Sequence, residues 1–288
     1  MKRKIIEITS AFILICFSFY YTDKAVDIVR RNDPIMKEIM SVKEEYEISP
    51  INAMLEDNNI IPGANGKTVN MEESFQKMKQ YGKFDENLLV FEEVKPSISV
   101  EEYYDRYIAS GSPTKNSVAL VFRVEKNDNI DDIVSILNQK NIQATFFLDG
   151  VWIENHQEQV YELAKDDHHL EVLSYDQKYD EVSFQLSRDM LQNITNLKGK
   201  YCYAEYDQKE VLELCEKKQM HTIIPTILAK NYPYATVKNK LTKGSIIGFS
   251  INDSVKKELS TIINYIEQKG YGIDTLEVLL NEANLIEK

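Results

Sequence analysis

The chain is poor in the residues that build metal knuckles and disulfide frameworks. It has 3 cysteines and 4 histidines in 288 residues. Cys16 lies in an N-terminal apolar segment, and Cys202 and Cys215 have no C-x-x-C spacing that would clamp a metal. Two free thiols are the expectation for Cys202 and Cys215. His156 and His221 stand alone in the sequence, and His168 and His169 precede an apolar run, so solvated turn positions are expected for all of them. An excess of positive charge is also missing. The 34 Lys and Arg face 46 Asp and Glu, a net charge of -12. That sign excludes nucleic-acid or polyanion binding driven by bulk charge, and the acidity reads as a solubility device. What remains is ordinary globular material, 43% hydrophobic and 28% charged, enough for one large α/β domain and a smaller one.

Long apolar runs are lacking except at the N-terminus. Met1-Lys2-Arg3-Lys4 is a positive cluster, and Ile5–Tyr21 is almost wholly apolar. That length is at the short end of what spans a bilayer. Flanking Lys2, Arg3 and Lys4 favour a cytoplasmic N-terminus, which puts everything after Tyr21 outside. A cleaved signal peptide is the rival reading. No small-x-small site follows Phe19, however, and Ile15 before Cys16 spoils a lipoprotein box, so an uncleaved single-pass anchor is expected. The expected organisation is a cytoplasmic tip and transmembrane helix at 1–22, a charged stalk at 23–51, a small α+β module at 52–112, and the main domain at 117–288.

Within the small module, Asn58–Gly66 is a turn cluster. Asn70 stands three residues before Glu73, a capping-box-like start for a helix from Met71 to about Tyr81, with Gly82 as its stop. Leu88–Val94 reads as a strand stopped by Pro96, and Ser99–Ile108 as a short helix rich in Tyr103, Tyr104 and Tyr107. Gly111-Ser112-Pro113 is a linker signal.

The main domain opens with one strand–helix–strand unit. Val118–Phe122 is a strand, Ile130, Ile133, Val134, Ile136 and Leu137 mark one side of a helix, and Ala144–Leu148 is a second strand ending in Asp149-Gly150. Alternation continues. Strands are expected at Leu170–Ser174, Lys200–Tyr203, Thr222–Ile227 and Ser245–Ser250, and helices at Phe184–Leu197, Gln208–Lys218, Lys256–Lys269 and Leu276–Asn284. The pattern predicts an α/β domain with a parallel sheet flanked by helices, open or closed into a barrel.

Ala144-Thr145-Phe146-Phe147, Gly244-Ser245-Ile246-Ile247 and the late Gly270-Tyr271 with Thr275-Leu276 resemble the polysaccharide deacetylase (NodB-homology) family in order and spacing. The resemblance runs from Ser117 to near the C-terminus. It implies a distorted (β/α) barrel with fewer strands than the eight-fold type. It also implies a chemistry, in which a divalent metal such as zinc polarises an N-acetyl amide and activates water. The family's functional positions, carried onto this chain, are filled by other residues. The acidic pair falls at Arg123 and Val124, the two histidines at Leu173 and Gln177, the arginine of an Arg-Pro-Pro-Tyr loop at Tyr203, and the histidine of a late Leu-His pair at Ser250. Only the loop tyrosine survives, as Tyr206. None of the replacements suits a cation, so no metal and no other cofactor is expected. The segment 52–110 is also similar to extensions that precede such domains in membrane-anchored proteins of Gram-positive bacteria.

Residues for strands and packing match, and residues for chemistry do not. The expectation is therefore a pseudoenzyme at the cell membrane whose partners are cell-wall glycan or an envelope protein, with no nucleic acid. Candidate ligand-binding residues near the strand ends are Trp152, Tyr175, Asp176, Tyr203, Glu205 and Tyr206, with Tyr179 and Tyr201 beside them. One alternative is an active carbohydrate deacetylase or hydrolase with a rebuilt site, drawing on Glu125, Asp128, Asp149, Asp176, Glu205, Asp207 and Asp253, with Glu205 and Asp176 as an acid–base pair. The other is an interaction protein without sugar affinity.

Overall fold

The computed structural model describes residues 17, 18, 20, 24–26 and 28–283. The proposed anchor over 5–21 and Cys16 lie almost entirely outside the described residues. Among those described, no helix is long and apolar enough to cross a membrane.

The strands, in chain order, are β1 (Met54–Glu56), β2 (Asn59–Ile61), β3 (Gly66–Val69), β4 (Phe91–Val94), β5 (Tyr107–Ile108), β6 (Ser117–Val124), β7 (Thr145–Leu148), β8 (His169–Val172), β9 (Tyr201–Tyr203), β10 (His221–Ile223), β11 (Ile227–Ala229), β12 (Ile246–Ser250) and β13 (Gly272–Asp274). The chain divides into two compact units. One holds the residues up to Ser49 with Gly66–Val94, and the other Pro50–Asn65 with Lys95–Ala283. This division differs from the boundaries drawn at 23–51 and 52–112. Part of the expected stalk folds into the first unit, and the expected module is shared between the two.

In the first unit, Asp33 accepts from the Ile35 N–H and caps a helix Pro34–Tyr46, with proline at its first turn. A second helix, Met71–Tyr81, is capped by Asn70 through the Glu73 N–H and ends at Gly82 with φ 73°, a left-handed conformation that glycine adopts freely. Both ends are as read from the sequence. Ile35, Ile39, Val69, Met78 and Leu89 form the core, beside the β3–β4 antiparallel pair. The strand expected over Leu88–Val94 is shorter, because Glu86–Leu88 is a 3₁₀ turn capped by Asp85.

The second unit is an α/β fold built on two arcs of strands. One runs β11-β12-β6-β7-β8, all parallel, with β13 also on β6. The other runs β1-β2-β5-β10-β9, parallel from β2 to β9. Both arcs contribute to one interior cluster, with Ala119, Val121, Phe147, Leu173 and Ile246 from the first and Tyr201, Tyr203, Ile223, Ile108 and Ile60 from the second. Residues of opposite parity, such as Val118, Leu120, Phe122, Phe146, Leu148 and Phe249, face the helices. The phenyl rings of Phe122, Phe146 and Phe249 stack there at 5.2 Å spacing. Strands buried on both faces are what a helix-covered parallel sheet requires.

Backbone ladders join the two arcs at neither end. Between β8 and β9 the carboxylate of Glu171, fully buried, accepts the Lys200 N–H at 2.9 and 3.0 Å. Gly199 beside it leaves the room, since a Cβ there would stand 2.5 Å from Glu171 Oε2. Between β10 and β11, Pro225 interrupts what the sequence reads as one strand over Thr222–Ile227, because proline has no N–H for a ladder.

Two other expectations change. Ser99–Ile108 is not a helix. Ser99 caps a single 3₁₀ turn, Val100–Glu102, and the chain then extends into β5, where Tyr107 and Ile108 pair with β2 and β10. Cys202 and Cys215 are not free thiols but a disulfide, with Cα atoms 6.4 Å apart. Cys202 occupies the helix-facing parity of β9, and Cys215 lies on the buried face of helix Lys209–Lys217 with Val211 and Leu214. Helices Gly150–Asn155, Gln157–Lys165 and Pro233–Lys240, not anticipated from the sequence, complete the outer layer.

Candidate functional site

Interior-facing positions at the C-terminal ends of the parallel strands converge on one mouth, the end where such folds carry their sites. Arg123 is the last interior residue of β6 and pairs in register with Ser250 of β12 and Phe147 of β7. Its guanidinium lies 2.6 Å from Glu125 Oε1 and 3.6 Å from Glu205 Oε1. Lys230, just past β11, holds the other oxygen of Glu205 at 2.6 Å. Burial opposes the charge on Arg123, but Glu125, Tyr179 and Glu205 outweigh it and its pKa is raised. Where the family resemblance implies an acidic pair, the mouth therefore holds a permanent cation neutralised by its neighbours.

The loop after β8 is set by a residue that the sequence ranked only among loop acids. Asp149 is buried at the end of β7. Its carboxylate accepts from Val151 N–H at 3.0 Å, from the Ser174 hydroxyl at 2.9 Å, and from the Asp176 and Gln177 N–H groups at 3.3 Å each. Asp176 and Gln177 take φ of 50° and 61°, a conformation that an L side chain other than Asn or Asp resists. Four bonds to one carboxylate hold it. Asp176 then faces Lys126 at 2.5 Å, which lowers the Asp176 pKa, and Gln177 Nε2 donates to Glu125 Oε2 at 3.0 Å.

The candidate residues fare unequally. Arg123, Ser250, Glu205, Asp176 and Gln177 do come together around the mouth. Leu173 is buried in the interior cluster as a packing residue. Val124 points the other way, fully buried in the helix-facing core. Trp152, expected on the cleft rim, has no exposed face. It is fully buried, donates from Nε1 to the Asp128 carbonyl at 2.8 Å, and stacks on His156. Tyr201 and Tyr203 are likewise buried, and burial, with Glu205 next, drives the Tyr203 pKa up. Tyr175 is half-buried, and its hydroxyl donates to Glu154 at 3.2 Å. Tyr206 is the open one, 64% exposed. Of the remaining loop acids, Asp128 accepts the Glu125 N–H at 2.7 Å and its pKa is raised by burial. Asp207 accepts the Tyr107 hydroxyl at 2.8 Å. Asp253 starts helix Asp253–Gln268.

His168, His169 and His221 are at the other ends of their strands, as their sequence positions imply, and His156 lies between two helices against Trp152, but none is the solvated turn residue expected. His168 is buried, accepts the Ala144 N–H on Nδ1 at 3.1 Å and meets Phe146 edge-on, and burial lowers its pKa. His169 Nε2 lies 3.1 Å from Glu171. His221 stacks on Tyr104 at 4.4 Å, and burial lowers its pKa too. A missed signal explains these corrections: a histidine next to an alternating apolar run sits at the strand's own edge, inside the fold. Among the described residues, no group of three or more His, Cys, Asp or Glu is arranged to hold a metal ion.

Known proteins resemble this chain in sequence and fold. The family model for polysaccharide deacetylase matches residues 110–241. The uncharacterized protein YlxY of Bacillus subtilis (strain 168) is 31% identical over 280 residues, covering 91% of this chain and 88% of that one. The structure of BA3943 from Bacillus anthracis, described as a CE4 family pseudoenzyme, superposes with a TM-score of 0.66 at 27% identity, covering 88% of this chain and 97% of that one. A mutant of BA3943 with restored enzymatic activity matches with the same score. PdaA of Bacillus subtilis, a family 4 carbohydrate esterase, shares the fold at 12% identity with a TM-score of 0.53, covering 80% of this chain and 97% of that one. Together with the strand order and the mouth at the C-terminal strand ends, these matches place the chain in the polysaccharide deacetylase family.

Proposed function

We propose that this chain is a catalytically silent member of its family, anchored at the outer face of the cell membrane and binding cell-wall glycan. The observation that carries the reading is Arg123. A fixed guanidinium, paired with Glu125 and Glu205, occupies the place where the family's chemistry needs carboxylates around a cation. The family's metal does not fit the residues present. Leu173 offers no donor atom, Gln177 is engaged with Glu125, and Arg123 repels a cation. The pseudoenzyme description of BA3943, at 27% identity, supports the same reading. The Cys202–Cys215 disulfide supports an extracytoplasmic location, because such bonds persist where thiols are not kept reduced.

The test is metal analysis, acetate release and calorimetric binding on the full chain with an N-acetylated chito-oligosaccharide. Saturable binding without acetate and without stoichiometric metal is the expected result. Acetate release, or one bound divalent ion per chain, would replace this reading with a rebuilt active site. Absence of sugar binding would leave an envelope protein as the partner.

A further inference from the structure

The net charge of -12 conceals a strong segregation of sign. No Asp, Glu or Arg stands between Glu216 and Asp253, a stretch that carries Lys217, Lys218, Lys230, Lys238, Lys240 and Lys243. Lys218 and Lys230 are paired with Glu181 and Glu205. Lys238, Lys240 and Lys243 are exposed, and none of them forms an ion pair with a described residue.

Helix packing widens this basic stretch into a band. Lys238 and Lys240 lie in the last turn of helix Pro233–Lys240, which packs on helix Asp253–Gln268. The Tyr265 hydroxyl of the second helix donates to the Lys238 carbonyl at 3.3 Å. Lys238 Nζ lies 5.9 Å from the centroid of the Tyr234 ring, Tyr234 meets Tyr265 edge-on at 5.8 Å, and Lys269 Nζ lies 5.5 Å from the Tyr265 ring. Two ammonium groups are thus seated on one tyrosine pair. Lys140, closing helix Asp131–Lys140, donates to Asn264 at 2.6 Å, next to Tyr265. The nearby carboxylates do not neutralise the band. Glu258 is engaged by the Tyr234 N–H at 2.9 Å, and Glu267, two positions from both Tyr265 and Lys269, falls on the opposite face of its helix. Helix Asp253–Gln268 ends just before β13, and Lys240 and Lys243 just precede β12, so the band lies at the N-terminal strand ends, opposite the mouth. The macrodipole favours cations at helix C-termini, but it does not call for Lys243 in the turn beyond, nor for the missing carboxylates.

We propose that this band is a docking surface for a linear phosphodiester polymer. Its cations are all lysines, which meet phosphate as point charges and lack the planar fork that selects carboxylates. The rings do not offer a stacking platform. Tyr234 and Tyr265 are half-buried and lysines sit over them, so they position charge rather than receive a nucleic-acid base or a sugar ring. A backbone of repeated phosphates without bases fits a surface of this kind. The inference stands apart from the glycan-binding reading, because it concerns other residues at the other end of the strands.

The experiment uses the full chain in neutral detergent with a fluorescent synthetic oligomer of about twelve glycerol phosphate units, titrated over a range of salt concentrations. Contacts to Lys238, Lys240, Lys243 and Lys269 are expected to give a log–log salt slope of about -3. Changing all four to Gln is expected to weaken binding about 100-fold at low salt and to flatten the slope. Changing the exposed Lys77 and Lys83 to Gln is expected to alter neither. Tyr265→Leu is expected to weaken binding about 3-fold at unchanged slope, with Tyr265→Phe restoring it, because the ring seats Lys269 without adding charge. No binding at low salt, or full binding by the fourfold variant, overturns the docking surface. Full binding by Tyr265→Leu overturns the seating role. Tighter binding of a thymidine oligonucleotide of equal charge would make stacking the mode of recognition, and equal binding of polyglutamate would remove the choice of phosphodiester. Either result overturns the proposed partner.

Discussion

The carboxylate of Glu282 accepts the backbone N–H of Gly63 at 2.7 Å, across 219 positions of sequence. The same side chain accepts the Ser99 hydroxyl and the Val100 N–H. It is buried, so its charge is held by these donors rather than by water. Glu282→Ala leaves three donors without a partner. The expected loss of unfolding free energy is about 3 kcal/mol, measured by denaturant titration. A loss below about 1 kcal/mol would mean that the clamp does not hold these loops.

Reduction is the second perturbation. Cys202 and Cys215 close a short loop, separated by 13 positions, between β9 and the following helix. Thiol titration of the unfolded, unreduced protein should find neither cysteine free, and reduction should lower stability by about 3 kcal/mol. Cys202→Ser in oxidising conditions should match the reduced wild type. Three titratable thiols before reduction, rather than the one of Cys16, would refute the pairing.

Val124 offers a test of register. It faces the helix-side core, one residue past the interior-facing Arg123. Restoring a family-like carboxylate there, Val124→Asp, should destabilise the protein by about 3 kcal/mol or more, because the new charge is buried unpaired. A neutral effect in chemical denaturation would place Val124 on the open side of the strand instead.

The buried histidines set a pH dependence. Burial lowers the folded-state pKa of His168 and of His221, so the folded protein resists taking up protons that the unfolded chain accepts at its ordinary histidine pKa of about 6.5. Their contribution is fully present above that pH and is lost as pH falls through the lowered folded values. His168→Asn keeps an acceptor for the Ala144 N–H but does not titrate. The stability difference between pH 7.5 and pH 5 should therefore be smaller in His168→Asn than in the wild type, by midpoint comparison in urea. Equal differences would show that His168 does not carry the effect.

Local pattern made the main domain readable. Apolar runs located β6, β7, β8, β9 and β12, and the family resemblance pointed to Arg123, Gln177 and Ser250, which lie at the strand ends, and to Leu173, which packs in the interior. What stayed hidden depends on distant partners. Nothing near Glu282 announces Gly63, and the helix expected over Gln208–Lys218 did not by itself announce that its Cys215 pairs with Cys202. Tyr107 and Ile108 form a strand only because β2 and β10 lie on either side of them. Trp152 shows a different limit: an aromatic after a strand reads the same whether it rims a cleft or fills a core, and only the Asp128 carbonyl beneath its Nε1 decides. Asp149 passed as one acid among many because a carboxylate's four backbone and hydroxyl donors leave no trace in sequence.

The seam between β8 and β9 has a consequence for how this fold can change. A backbone ladder is indifferent to side-chain identity, so most substitutions leave it standing. Here the join is the carboxylate of Glu171 on the Lys200 N–H, with Gly199 cleared to admit it. Closure of the hoop on that side is thus written in two codons rather than spread along a strand. Exchange at either position would remove this polar join while every strand kept its own ladder neighbours and the shared interior cluster stayed in place.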